Sequence, residues 1–313
     1  MGRDERGVAL VLAIFVVSML VALVLEFDRM TRTDLLAAGN FRDTIKAFYL
    51  AKAGIAAARG ILKEDSLYNG QYDGLDEIWA TGLPSLATGE GSIRVLIHDE
   101  AGKLNPNHLV GGPTRKRIPA KVAQMRRLLT LLKLDPDLVD VMVDWIDSDD
   151  EPERFGAERA YYAGLAPPYK AKNGPFESLS ELRLLKGVTE EVYRALAPYL
   201  TVATPEHGRT NINTADPVVL QAMDSRISPQ IADGIVKARP FRRLQDLDRV
   251  TGMEQVAKEL RAIGQAYDIR SDIFSITSEG RVHDTTRVIR AAVVRSLFPN
   301  GSPEVRVVSW RVE

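Results

Sequence analysis

The feature that most constrains this chain is VALVLAIFVVSMLVALVL, an uncharged run of 18 residues from Val8 to Leu25. As a helix it covers roughly 30 Å of hydrocarbon, the thickness of a bilayer core, and an open strand or loop would leave its backbone unsatisfied there. The segment is not expected to be removed as an ordinary secretory signal, because it ends in Val24-Leu25-Glu26-Phe27-Asp28 without an Ala-x-Ala site. A small residue stands instead at the other boundary, where Arg3, Asp4, Glu5, Arg6 and Gly7 precede the run. Arg3 and Arg6 before the span, with Glu26 and Asp28 after it, predict a cytoplasmic amino terminus and an exported head. In a two-membrane bacterium that head is periplasmic.

Helical character continues past the lipid. No proline occurs before Pro84, and Leu35, Ala38, Phe41, Ile45, Phe48, Ala51, Ile55 and Ile61 keep helical spacing. One helix is expected from Val8 to about Lys63, roughly 85 Å at 1.5 Å per residue. With 313 residues and 45% hydrophobic content, the chain beyond that helix can bury a core and divide into more than one domain. A formal charge of −1 gives no global attraction for nucleic acid or anionic lipid. The absence of cysteine excludes disulfides and thiolate metal sites.

GSIRVLIHDEAGKLNPN reads as a strand with alternating Ile93, Val95 and Ile97, closed by a Gly102 turn. From about Pro119 to Tyr199 the period becomes helical, in AKVAQMRRLLTLLKL, DPDLVDVMVDWI and SLSELRLLKGVTEEVYRALAPYL, with helix starts at Asp135-Pro136 and Ser178. After Tyr267 strands return as DIFSITSEGRV, TTRVIRAAVVRSL and EVRVVSWRV. The expected fold class is α+β: a long N-terminal helix packed on an antiparallel sheet, with a large all-α insertion. The corresponding divisions are 1–7, a leader; 8–25, the span; 26–104, amphipathic helix and first strands; 105–267, the insertion; and 268–313, the last strands.

The stretch with most chemistry is DWIDSDDEPERFGAERAYY. Asp147, Asp149, Glu151 and Glu158 occupy positions 1, 3, 5 and 12 of a register like that of an EF-hand loop, with Asp144 and Asp150 as further oxygen donors. Position 6 is Pro152, where a true EF-hand needs glycine for its sharp turn. A solvated acidic loop that caps a helix is the other reading of these residues. LRLLKGVTEEVYRAL and TNINTADPVVLQAMDSRISPQIADGIVKARPFRRLQDL resemble helix-hairpin-helix units, which can hold a DNA phosphate on backbone N–H groups. The second turns at Ser225-Arg226-Ile227-Ser228 without glycine, and Glu190 and Glu191 oppose a phosphate at the first, so packing is the expected use. ARPFRR reads as a short basic surface patch. His98, His108, His207 and His283 form no metal-spaced pair and are expected in loops or at the surface; no nucleophile elbow or phosphate-binding glycine loop is present, and the chain is not expected to be an enzyme.

The charged leader ending in Gly7, the unbroken apolar helix and FYLAKAGIAAARGIL resemble the type IV pilin and pseudopilin class. The resemblance implies cleavage of Gly7-Val8 by prepilin peptidase, methylation of the new amine, and retention of the helix as anchor and assembly element. Members typically carry glutamate at the fifth mature position, and Leu12 stands there. A buried carboxylate in an apolar bundle needs a partner, in this class the amino terminus of the neighbouring subunit. A subunit without it is suited to come first. Leu12 and the large head together resemble the minor pseudopilin K family of type II secretion. That resemblance implies a pilin-like α+β fold whose insertion holds helix-hairpin-helix-like units, and calcium in the acidic segment. It also implies an inner-membrane anchor, a place at the pseudopilus tip, minor pseudopilins I and J as partners alongside an inner-membrane secretion platform, and no nucleic acid. The alternatives are a DNA-binding competence-type pilin and a membrane-anchored periplasmic enzyme.

Overall fold

The computed structural model describes residues 4–68, 70–113, 115–203, 208–262, 267–297 and 302–313. Of the residues named above, Arg3 and His207 lie outside these. Helix α1, Asp4–Tyr68, runs unbroken for 65 residues, about 97 Å at 1.5 Å per residue, and so overruns both expected ends. Val8 to Leu25 is exposed throughout.

Packing begins only at Asp43, and the contact stripe is Ala47, Ala51, Ile55, Ala58 and Leu62, all buried. Leu35, Ala38, Phe41 and Ile45, expected on that stripe, are exposed; Phe48 and Ile61 are half-buried. The cause is close approach. A Cβ on Gly54 would lie 2.1 Å from Ser278 Oγ, and one on Gly280 2.1 Å from the Ala47 carbonyl oxygen, so small residues on both surfaces seat helix on sheet.

The sheet is antiparallel, in the order β1 (Leu83–Thr88), β2 (Gly91–Asp99), β3 (Ile273–Val282), β4 (Thr285–Leu297) and β5 (Pro303–Val312). Strand β1 has no counterpart among the expected strands; it forms a hairpin with β2 through a turn in which Gly89 takes a positive φ of 55°. The core between helix and sheet joins the α1 stripe to Trp79, Val95, Ile97, Phe274, Ile276 and Val293.

The insertion leaves the sheet after β2 and returns at β3. Its main helices are α2 (Pro119–Leu131), α3 (Leu138–Ile146), α4 (Glu190–Leu196), α5 (Pro217–Met223), α6 (Pro229–Lys237) and α7 (Glu254–Ala262). It is not wholly helical: Val110–Gly111 pairs antiparallel with Lys116–Arg117, and Thr210–Asn211 pairs parallel with Tyr267–Asp268. Asp135 does not start a helix; its Oδ1 accepts from Asp137 N, and α3 begins after that turn. Ser178 caps a 3-10 turn, Leu179–Leu184, separated from α4 by Gly187 at φ 79°. The expected single helical stretch there is thus broken in two.

Two copies of one unit make up the insertion. Asn107 clasps the Phe176 backbone, accepting from N at 2.7 Å and donating to O at 3.0 Å, and Asn213 does the same to Phe241 at 2.8 and 3.0 Å. DPDLVDVMVDWI, at 135–146, corresponds to SPQIADGIVKAR, at 228–239, and PFESLSELRLLKG to PFRRLQDLDRVTG, each ending on a glycine of positive φ, Gly187 or Gly252. The units differ at one junction. Arg239 is followed directly by Pro240, whereas between their equivalents Ile146 and Pro175 the first unit carries the extra segment 147–174.

Candidate metal centre

Asp144 lies on α3, a helix buried along its whole length, and Asp147 follows as its C-cap residue. Three residues apart at a helix end, the two carboxylates share a face. Glu158 is brought back to them by the extra segment and starts the short helix Arg159–Ala163. The return is held by Glu153 N, which donates to Asp144 Oδ1 at 3.0 Å, and by Lys186 Nζ, which donates to the Gly156 carbonyl at 3.1 Å. Gly156 must lack a side chain, since its Cβ would lie 1.8 Å from Asp144 Oδ2. Behind the acids, Trp145 meets Tyr162 edge-on at 5.4 Å and stacks on Phe176 at 6.4 Å.

One oxygen from each of Asp144, Asp147 and Glu158 lies within 4.8 Å of the others, and all three residues are buried. Asp147 Oδ1 and both Glu158 carboxylate oxygens have no hydrogen-bond partner. Among the described residues no lysine or arginine pairs with any of the three; the nearby Arg117 and Arg126 are taken by Asp140, and Arg117 also by Glu153. Burial, followed by repulsion from neighbouring acids, pushes Asp144 up to about 6, Asp147 to about 7 and Glu158 to about 8. The donor set is all oxygen and anionic, suited to a hard cation. Calcium takes such oxygens at about 2.3–2.6 Å in a flexible shell, whereas magnesium demands a near-ideal octahedron and keeps its waters.

The EF-hand register does not describe this cluster. Asp149 and Glu151 are exposed, and Asp149 Oδ1 accepts from Glu151 N at 3.0 Å in a local turn. Asp150 accepts from Asn173 Nδ2 at 3.2 Å. With Pro152 at the sixth position the loop cannot fold back sharply, so it carries these acids outward. Of the six acids named from the sequence, the structure brings together Asp144, Asp147 and Glu158.

A second acidic group has no signature in the sequence. Asp65, at the end of α1, Asp73 and Glu77 converge at the sheet, and Arg295 of β4 enters among them, donating to Asp65 at 2.9 Å and to Asp73 at 2.5 and 2.6 Å. Its acids lie close together in the chain, but Arg295 comes from 230 positions beyond Asp65, so no local spacing announces the pairing.

Elsewhere, Arg226 in the α5–α6 turn is clamped by Asp224 at 2.9 Å and Glu259 at 2.7 Å, and Glu190 holds Arg183 and Arg194, so these groups serve packing. His98 is exposed on β2 rather than in a loop, and His283 sits in the β3–β4 turn, 2.9 Å from Asp43. His108 is partly enclosed in the turn Pro106–Leu109, where burial pushes its imidazole down to about 4. Gly7, Val8 and Leu12 lie within α1 on its exposed half.

Comparison with known proteins matches this architecture. The family described as type II secretion system, protein K, matches residues 102–205 with one model and 210–270 with a second, which coincide with the two units of the insertion. Type II secretion system protein K of Pseudomonas aeruginosa is 33% identical over 94% of this chain and 90% of its own length. The protein of that name from Aeromonas hydrophila is 24% identical over 94% of both chains. In the crystal structure of the GspK-GspI-GspJ complex from enterotoxigenic Escherichia coli, one chain shares the fold with a TM-score of 0.71 at 21% identity, over 91% of this chain and 99% of that one. The chain therefore belongs to the type II secretion system protein K family.

Proposed function

We propose that this minor pseudopilin of the type II secretion system stands at the tip of the pseudopilus and starts its assembly. The observation that carries the reading is Leu12, an aliphatic residue on an exposed helix half where the class has glutamate, joined to a head too bulky to repeat along a fibre. Counterparts of GspI and GspJ, the two proteins that accompany GspK in the solved complex, are the partners this reading assigns to it. The exposed Leu36, Phe41 and Tyr49, beyond the expected span, supply apolar surface for neighbouring helices. Prepilin peptidase would cleave Gly7-Val8 at the cytoplasmic face of the inner membrane, followed by methylation of Val8. The helix would then hold the head in the periplasm, above the secretion platform.

The insertion would hold calcium through Asp144, Asp147 and Glu158, whose unpartnered buried oxygens suit that ion. Bound calcium would supply positive charge and no reaction chemistry. The chain's own part is to close the extra segment over α3 and keep the three carboxylates converged.

The test is coexpression with the peptidase and the I and J counterparts. The recovered protein should begin at Val8 and copurify with both partners. Leu12→Glu should not improve assembly, because the added carboxylate would enter an apolar bundle unpaired, at a cost of several kcal/mol. A Leu12→Glu protein that spreads along the fibre better than wild type, or a wild-type protein that does so itself, refutes the tip position.

A further inference from the structure

The two units of the insertion share a surface that only the first one covers. There, Trp145 stacks on Phe176, and Tyr162 and Tyr169 pack together at 5.2 Å. The Tyr169 hydroxyl donates to the Leu184 carbonyl at 2.6 Å, the Tyr162 hydroxyl accepts from Lys186 N at 3.4 Å, and Lys172 reaches Glu181 at 2.9 Å. The extra segment thus lays two tyrosines and a lysine across Phe176, Glu181, Leu184 and Lys186.

In the second unit the equivalent residues are Phe241, Asp246, Arg249 and Thr251, and all four line an open groove of about 490 Å³. That volume falls in the roughly 300–1,000 Å³ range of ligand pockets. The sequence accounts for the opening. Ala238 replaces Trp145, Gly234 replaces Val141, and no segment intervenes between Arg239 and Pro240. The lining has also become more positive: Glu177 is matched by Arg242 and Leu184 by Arg249, and both cations are exposed. Asp246 is the acid that remains in the groove, and it pairs with Arg243 at 3.0 Å and with Arg249 at 3.6 Å.

We infer that this groove binds an acidic, tyrosine-bearing segment of a partner protein, seated in trans as residues 162–172 are seated in cis on the first unit. The molecule carries its own template for the aromatic part of the occupant, and the cationic rim selects its charge. The inference does not depend on the calcium reading, since none of Asp144, Asp147 and Glu158 lines the groove.

Full-length protein in detergent would be titrated against a fluorescein-labelled peptide, Ala160–Ala171 of this chain flanked by Asp-Glu at each end, with fluorescence anisotropy as the readout. A peptide with serine in place of its tyrosines should bind about tenfold more weakly, and so should one with Lys-Lys flanks. Gly234→Val with Ala238→Trp, which restores the side chains of the first unit, should fill the groove and weaken the acidic tyrosine peptide by a similar factor. That variant should fold, because a Cβ at Gly234 meets Val250 Cγ1 at 3.4 Å, an ordinary contact. Arg249→Glu should weaken the same peptide with the groove still open, which keeps the test decisive if the filled variant is unstable. Equal binding of tyrosine and serine peptides overturns the inference. So does displacement of the peptide by a short DNA duplex, which would make the site a phosphate contact, or self-association lost in the filled variant, which would make the occupant a second copy.

Discussion

Two clusters of three buried carboxylates occur among the described residues, and they are neutralised in opposite ways. In the first, Asp65 and Asp73 pair with the guanidinium of Arg295, a cation supplied by the chain itself, and Glu77 lies beside them. Asp144, Asp147 and Glu158 close on no side-chain cation. Burying like charges together is costly unless they are compensated. At the join of α1 and sheet the compensation is permanent, which suits a part of the head that must be rigid wherever it is. In the insertion, on the calcium proposal, it is left to a soluble ion, so order there would depend on supply. The difference separates a structural charge centre from a candidate ligand site better than acid content does, since each has three acids.

The sharpest way to break the comparison is to remove the built-in cation. Arg295→Met deletes both ion pairs, the donation to the Ser271 carbonyl and the guanidinium 5.0 Å from the Phe274 ring centre, and leaves the acids buried. Breaking a buried pair from one side costs about 3–5 kcal/mol. At about 2–4 °C per kcal/mol the melting midpoint should fall by roughly 6–20 °C, or the head should fail to fold. Melts followed by Trp79 fluorescence are suitable, since that indole packs edge-on against Phe274 at 5.1 Å. A change within about 2 °C, the effect of less than one kcal/mol, would mean that the first cluster needs no cation, and the contrast would collapse.

The second effect is smaller and depends on conditions. Calcium at a hundredfold excess over its dissociation constant should stabilise the folded protein by about 2.7 kcal/mol, which raises the midpoint several degrees above that in chelator. Magnesium should do less, because it holds its waters and demands a tighter shell. Asp147→Asn with Glu158→Gln should abolish the calcium response and leave the Arg295 cluster unaffected. If wild type melts at the same temperature in calcium and in chelator, the three acids are merely buried, and the pKa rise carried by Asp147 and Glu158 is how the fold tolerates them.

What the sequence makes legible depends on the range of the interactions. Strand β4 is bounded at Thr285 and Leu297 because it is long and flanked by turn residues, and α1 is plain from an apolar run without proline. The packing face of α1 is harder to read, because large apolar residues such as Phe41 and Leu35 dominate any periodicity, whereas the true contact needs Ala47, Ala51 and Gly54. Strand β1, with Pro84 and little alternation, gives no signal. The duplication is hidden by the 147–174 segment, which puts the matching stretches at unequal spacings; only LNPN against TNIN and PFESL against PFRRL betray it. Asp144 is readable as a partner of Asp147 from helical geometry, but Glu158 and the exclusion of Asp149 and Glu151 depend on how the loop returns. Arg295, 230 positions from Asp65, is beyond any local reading.

The smallest predicted effect tests how completely Arg295 serves its cluster. Its carboxylate partners are Asp65 and Asp73, whereas Glu77 Oε2 accepts from Gly74 N and Trp79 Nε1, both at 2.9 Å, and Glu77 Oε1 is buried without a partner. Burial first, and then the charges of Asp65 and Asp73, push Glu77 up to about 7. The folded value thus lies above the unfolded one of about 4.3. Stability from this group is therefore full below about pH 4.3 and is lost as pH rises through about 7. Glu77→Gln imitates the protonated acid at every pH, so the variant should match wild type at about pH 4 and melt about 1–3 °C higher at about pH 8, a small shift because other groups partly screen the site. Paired melts across that range give the answer without needing the absolute pH profile, since titrations common to both proteins cancel. If wild type instead gains on the variant as pH rises, Glu77 is ionised and held by Arg295 as the two aspartates are, and the first cluster is compensated in full.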